Sequence, residues 1–397
     1  MFKYLVPLFS GTLLKQDIFN MATVELMRSI PNLKWGRYPE DVIPMWIAAP
    51  DVPIAPEIKQ ALHDAVNEQN LYYNSDLNAR EAMKKKINKT NNIPVETEDI
   101  MIIQGVDPSI WFAVKHACKP GDEVIVNDPT YYAFKAVLPA ADAKPVSWIL
   151  DREDGYKFNT ESLMEIITPR TKLIYLCNPH NPAGRVMTKE ELEAVADIAI
   201  DHKIFVMVDE LWEDIVFDEK KHVSIASLNP EISNLTLSSW GFSKTFGVAG
   251  LQIGYMGTTN KEMMNTMRSH ATGIQRGSST LACAAAEVMV SEKMNYWRKG
   301  MKEHLHKTRE ICSRRLNAIP GVEFPELEGT YVPFPRFDVG LSSDDLRDYL
   351  LKEAKVAFSS GRGYGVKGNE HLRINIATSE ALMTEAMDRV EVALSKL

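Results

Sequence analysis

The sequence predicts an α/β fold: a large domain with a mostly parallel sheet covered by helices on both faces, plus a smaller α+β domain. Three observations carry that expectation. From about residue 100, short apolar runs alternate with amphipathic helical stretches. Several of these runs are continuous apolar blocks rather than period-two alternations, as strands buried on both faces require. A length of 397 residues also exceeds what one simple core organises.

The strand-like runs are Ile100–Ile103, Glu123–Asn127, Lys172–Cys177, Phe205–Asp209, Leu235–Ser239 and Leu251–Tyr255. The clearest intervening helix starts at Thr188, where Thr-Lys-Glu-Glu has the form of a capping box ahead of the apolar run Leu192–Ile200. Strand, helix and strand repeated in this way imply right-handed βαβ units. After Ser291 the pattern changes. A long charged helix to about Asn317 leads into the Pro-rich segment FPELEGTYVPFPRFDV. A helix from Ser343 to about Lys355, strand-like pieces at Val356–Ser359 and Leu372–Ala377, and a final helix follow. The expected division is residues 1–65 as an N-terminal arm and part of the small domain, 66–290 as the large domain, and 291–397 as the rest of the small domain.

Composition removes several function classes. Lys and Arg total 45 against 53 Asp and Glu, a net charge of -8, which argues against a dedicated nucleic-acid binder. No run reaches the roughly 18 apolar residues of a membrane helix. Cys118, Cys177, Cys283 and Cys312 lie far apart without a CxxC pair, so a reducing, cytoplasmic setting is expected rather than a disulfide or zinc scaffold. The opening MFKYLVPLFSGTLL faintly resembles a signal peptide. Pro7 interrupts it and no small-x-small cleavage site follows, so an arm packed on a neighbour is the expectation. His304 and His306, two apart on a helix, face different ways, and no metal site is expected. Gly363-Tyr364-Gly365-Val366-Lys367-Gly368 matches GxGxxG, but a strand follows where a dinucleotide fold needs a helix.

Open parallel sheets bind ligands beyond the carboxyl ends of their strands, so the loops there carry the chemistry. After the first run comes Gln104-Gly105-Val106-Asp107-Pro108-Ser109, with Asp107 expected to cap a helix and Pro108 to open it. Free N–H groups at such a start make an anion site, though a plain strand-to-helix turn has the same form. The later loops supply Tyr131 and Tyr132, Asn181 within NPHNPAG, Asp209, and Ser243-Lys244. An anion-binding turn, an aromatic ring, a carboxamide, a carboxylate and a lysine on one rim are what pyridoxal 5'-phosphate (PLP) needs. Its phosphate, ring, phenolic oxygen, ring nitrogen and aldehyde each take one of them.

These residues also carry a family resemblance. NPHNPAG resembles the NPxNPTG loop of the class I/II aminotransferases, which are fold-type I PLP enzymes. SWGFSKTFGVAGLQIGY resembles their lysine segment, and HLRINIAT their carboxyl-terminal arginine strand; the match spans roughly residues 34 to 397. The resemblance implies that Lys244 binds the cofactor as an imine and then moves the substrate α-proton. It implies that Asp209 pairs with the pyridinium nitrogen, that Asn181 donates to the phenolic oxygen, and that Tyr131 stacks on the ring. Gly105, Val106 and Asp107 with Ser243 would hold the phosphate, and Arg373 would grip the substrate carboxylate as a bidentate fork. Tyr73 would reach a neighbouring subunit's phosphate, which implies a homodimer. Ala48 and Asn181 join Arg373 on the substrate side.

Three positions depart from the family pattern. Gln252 stands where the family has a phosphate-binding arginine, and Trp212 replaces a tyrosine that donates to the phenolic oxygen. Asp107 puts a carboxylate beside the phosphate and is expected to turn away. The opening LKWGRYPEDVIPMWIAAPDVPIAPEI resembles instead the cystathionine β-lyase-like (C–S lyase) branch. The favoured activity is amino transfer between an L-amino acid and a 2-oxo acid. C–S β-elimination is the alternative, and a non-catalytic regulatory role through the dimer surface stands third. Arg276 reaching a dicarboxylic substrate across the dimer is set against an ordinary exposed arginine.

Overall fold

The computed structural model describes residues 17–397 apart from Asn74 and Arg276. The expected arm over 1–16 and the reach of Arg276 lie outside the described residues.

Seven strands form the central sheet: β1 Ile100–Ile103, β2 Glu123–Asp128, β3 Lys144–Ile149, β4 Thr171–Cys177, β5 Phe205–Asp209, β6 Thr236–Gly241 and β7 Gly254–Gly257. Their order across the sheet is β1-β7-β6-β5-β4-β2-β3. Only β7 runs against its neighbours, pairing antiparallel with both β1 and β6. The remaining pairs are parallel, so the sheet is mostly parallel as expected.

Alternate side chains of these strands enter two different cores, as a pleated strand requires. Val124, Val126, Leu173, Tyr175 and Met207 join one cluster with Ile110, Phe112 and Val114 of helix α1 (Asp107–Ala117). Ile125, Ile174, Leu176, Val206 and Val208 join the other with Leu192, Val195 and Ala199 of α2 (Lys189–His202). Burial on both faces explains why the runs read as unbroken apolar blocks. At the start of α2, Thr188 Oγ1 accepts the Glu191 N–H while the Glu191 carboxylate accepts the Thr188 N–H. That capping box contributes on the order of 1 kcal/mol to the helix.

Some boundaries differ from the sequence reading. Ala249–Leu251 is a single 3-10 turn rather than a strand start, closed by Gln252 in the left-handed region at φ 48°, and β7 begins only at Gly254. Strand β3 (KPVSWI) carries no apolar block because it is the sheet's edge, with much of it exposed, so periodicity did not mark it. The charged helix of the last hundred residues, α3, starts at Asn295 and runs to Asn317, with a separate 3-10 turn over Glu292–Met294 before it. Around it lie three two-stranded pieces: Ile43–Pro44 with Val356–Ala357, Val322–Glu323 with Arg336–Phe337, and Ser359–Ser360 with Leu372–Arg373. The first shows residues before 65 pairing with the carboxyl-terminal part of the chain.

The parallel strands end at one rim, with Cys177, Asp209 and Gly241 at their carboxyl ends. Close packing at Gly254 draws the start of α1 up to that rim. A Cβ there would lie 2.7 Å from the Gly105 carbonyl oxygen and 2.9 Å from its carbon, both backbone atoms that cannot swing aside. Gly254→Ala is therefore expected to destabilise the protein by about 2 kcal/mol, as overpacking does. The shift of the urea unfolding midpoint measures it, and an unchanged midpoint would show that the turn at Gly105 yields freely.

Candidate active site

At the rim the chain encloses a cavity of about 360 Å³. Its lining comes from every sequence-predicted loop: Gly105, Val106, Asp107, Tyr131, Asn181, Asp209, Ser243, Lys244, Gln252, Ala48 and Arg373. Tyr73 is the exception. It is fully exposed and does not line the cavity of its own chain.

Lys244 follows β6, in the short helix Ser243–Phe246 that Gly247 closes at φ 70°. Its Nζ donates to the Ala48 carbonyl at 3.0 Å and lies 5.4 Å from the centre of the Trp212 ring. Burial pushes its amine down to about 8, and Arg373 adds repulsion; Asp209 and Asp107 pull the other way. Asp209, the last residue of β5, accepts the Leu211 N–H at 2.9 Å. Burial pushes its carboxyl up to about 7 against that hydrogen bond, and Asp107 adds repulsion. A cation at its open side would draw it back down.

Behind Asp209, Glu210 is fully buried and accepts from His222 Nε2 at 2.9 Å, Trp240 Nε1 at 3.0 Å and Ser224 Oγ. Burial works to raise the Glu210 carboxyl, but the hydrogen bond and charge of His222 and the Ser224 hydroxyl outweigh it, holding the group below its ordinary value.

Arg373 is buried beside the cavity. Its Nη1 donates to Asn181 Oδ1 at 3.2 Å, its Nη2 donates to the Trp46 carbonyl at 3.1 Å, and its guanidinium lies 4.9 Å from the centre of the Tyr364 ring. Its Nε has no protein partner, an orphaned donor that a bound carboxylate would satisfy. With Asn181 Oδ1 committed to Arg373, the Asn181 amide nitrogen is left to donate.

One expectation needs correction. Asp107 does not cap α1: Val106 holds the N-cap position, Asp107 is the first helical residue, and no side chain caps the end. Instead the Asp107 carboxylate lines the cavity, bonded to Tyr131, with burial raising its carboxyl and Lys244 opposing the rise. Pro108 rather than Asp107 decides this, since it fills the second helical position and leaves Asp107 to begin the helix. Gln252 sits on the rim with its amide turned back on the Ala249 carbonyl at 2.8 Å, so that contact stays within its own turn.

The site fits PLP on these observations. It offers a half-buried amine of lowered basicity, a buried carboxylate, and a helix start with uncapped N–H groups beside Ser243. A model of the aminotransferase class I and II family matches residues 32–390. The chain belongs to that family. An aspartate aminotransferase of Pyrococcus horikoshii is 31% identical over 359 residues, covering 89% of this chain and 91% of that protein. Aromatic-amino-acid aminotransferase 2 of Thermococcus litoralis is 30% identical over 385 residues, covering 96% and 98%. Among solved structures, cystalysin of Treponema denticola, which contains PLP, superposes with a TM-score of 0.88 at 25% identity over 92% of this chain and 96% of that one. The protein is a PLP-dependent transaminase.

Sequence reasoning missed what holds this aminotransferase's Trp46–Ala49 segment in place. Asn375 Nδ2 donates to the carbonyls of Ile47 and Ala49 at 2.6 and 2.7 Å, Tyr331 to that of Ala48 at 3.2 Å, and Ser359 to that of Trp46. Next to it, buried Asp51 accepts from Lys34 Nζ and Trp35 Nε1, each at 2.8 Å. The KW pair of the opening motif was the available signal, read as a family likeness and not as a clamp on Asp51. Lys34→Met leaves Asp51 short of its cation, which costs about 3 kcal/mol for a buried pair. The loss is expected in chemical unfolding, and a variant as stable as wild type would remove the clamp.

Proposed function

We propose that Lys244 is the residue that binds the cofactor and then carries the substrate proton, in amino transfer between an L-amino acid and a 2-oxo acid. The observation that carries this reading is a half-buried lysine of lowered basicity sharing one cavity with a buried carboxylate, with the orphaned Arg373 Nε beside them. PLP, when bound, supplies an electron sink for the carbanion formed at the substrate α-carbon.

The chain's own groups do the rest. Arg373 orients the substrate through its carboxylate, and its contacts to Asn181 and Trp46 hold the guanidinium ready for a two-point grip. Asp209, ionised, holds the proton on the ring nitrogen. Asn181 donates from its amide nitrogen, and Tyr131 offers the ring face. The N–H groups of Gly105–Asp107 and Ser243 receive the phosphate. Lys244, with its amine near neutrality, accepts and returns a proton, and the Ala48 carbonyl fixes its direction.

The domain division expected from the sequence is kept as part of this reading. The site lies where 66–290 meets the residues before 65 and after 291. A homodimer also belongs to it. Tyr73, Tyr72 and Leu71 form an exposed apolar stretch that a second subunit would cover, bringing Tyr73 to the partner's phosphate. The free thiols Cys118, Cys177, Cys283 and Cys312 favour a cytoplasmic protein.

Trp212 in place of a tyrosine favours the second reading, C–S β-elimination. One assay separates the two: a panel of L-amino acids with 2-oxoglutarate, run beside L-cystathionine. Glutamate formed from the panel, with no pyruvate released from L-cystathionine, is the expected result; pyruvate and a thiol formed from L-cystathionine without an oxo-acid acceptor would replace transfer by elimination. Lys244→Ala is expected to abolish turnover, and retained turnover would remove Lys244 from the chemistry.

The lowered basicity of Lys244 has its own check. Only the neutral amine is nucleophilic, so reductive methylation of Lys244, followed by peptide mass mapping, should rise about tenfold per pH unit and level off near pH 8. A rise that continues past pH 10 would show an ordinary lysine.

A further inference from the structure

Four charged side chains line the cavity among the described residues: Asp107, Asp209, Lys244 and Arg373. The cofactor and substrate claim three of them. Lys244 takes the aldehyde, Asp209 the ring nitrogen and Arg373 the substrate carboxylate. The phosphate is left with uncapped N–H groups of α1, Ser243, the neutral Gln252, and one anion, Asp107. Asp107 is the first residue of the very helix that must receive the phosphate. The groups facing it are Tyr131, whose hydroxyl bonds to it, Lys244, and Asp209 across the cavity. Once Lys244 is committed to the cofactor and Arg373 to the substrate, no cation among the described cavity-lining residues opposes the Asp107 charge.

A phosphate monoester above about pH 6 carries two negative charges. Bringing it against an ionised carboxylate in a partly dry cavity is unfavourable, and the system relieves that by taking up a proton. We propose that Asp107 binds the cofactor phosphate through a shared proton. One proton enters from solvent as PLP binds and sits between the carboxyl and a phosphate oxygen, so Asp107 acts as a hydrogen-bond donor. This rests on the PLP reading of the site. Cofactor affinity is then linked to pH: tight where the proton is available, weaker as pH rises.

The test is PLP binding by the full-length protein, followed by absorbance across pH 6.5 to 8.5, in wild type, Asp107→Asn and Asp107→Ser. Asn keeps the shape and supplies a donor without needing a proton. Lys244 and Asp209 titrate in all three, and because Asp107 couples to both, their change in each variant is measured on the cofactor-free protein and removed from the ratio of dissociation constants. That ratio, wild type over Asn, is expected to grow about tenfold per pH unit, reaching about 100-fold between the two ends. Ser shows the same trend, and it carries the test should the Asn variant fold poorly. Gln252→Arg, which adds a cation at the rim, should flatten the wild-type slope. The phosphorus resonance of bound PLP gives a readout independent of affinity. In wild type it should sit toward the singly protonated phosphate, and in Asp107→Asn toward the dianion. A ratio that stays flat with pH, or an Asn variant that binds more weakly throughout, overturns the shared proton. Failure of wild type to bind PLP at any pH would instead overturn the parent reading of the site.

Discussion

Burying an amine next to a carboxylate is the constraint around which the rest of this protein is arranged. Lys244 and Asp209 stand at neighbouring strand ends because β5 and β6 are adjacent and parallel. Asp209 is buried and Lys244 half-buried, and each is pushed toward neutrality by desolvation. Surface groups would keep their ordinary proton affinities and would not exchange protons easily near pH 7. The sheet therefore does more than carry the two residues: its dry interior supplies the condition that makes them reactive.

The opposite wall is built from backbone. Residues Trp46–Ala49 contribute four carbonyls, which meet Arg373, Ser359, Asn375, Lys244 and Tyr331. The two groups most responsible for chemistry and substrate grip thus hang on one short segment. That segment is itself held by the buried Lys34–Asp51–Trp35 cluster. A loop this committed is rigid for a physical reason, since each of its four carbonyls has a fixed partner. It also joins the amino-terminal residues to the sheet rim, which is why the site needs residues from both ends of the chain.

Much of this was legible in the sequence. Blocks such as Leu173–Cys177 and Phe205–Asp209 read as buried strands because both of their faces are covered, and Thr188 announced its helix through a capping box that the fold makes in full. The residues expected at the strand ends meet in one cavity, whereas Tyr73 is exposed and does not line it. What stayed hidden depends on tertiary packing. Strand β3 is an edge with no apolar signature. Gln252 adopts a left-handed backbone that delays β7. Asp107 turns inward because Pro108, one position on, lets the helix begin at Asp107 itself. Tyr331, Tyr364 and Asn375 sit within segments the sequence reading quoted, but Tyr364 reaches the cavity, and Tyr331 and Asn375 the Trp46–Ala49 segment, only through tertiary packing.

The central claim is that the Lys244 amine is the group that meets the cofactor. Incubating the protein with PLP, reducing with borohydride and mapping the peptides by mass tests it directly. The account predicts a single phosphopyridoxyl adduct, on Lys244, lost when that residue is replaced by alanine. An adduct on another lysine, or none on Lys244 with PLP in excess, would contradict it.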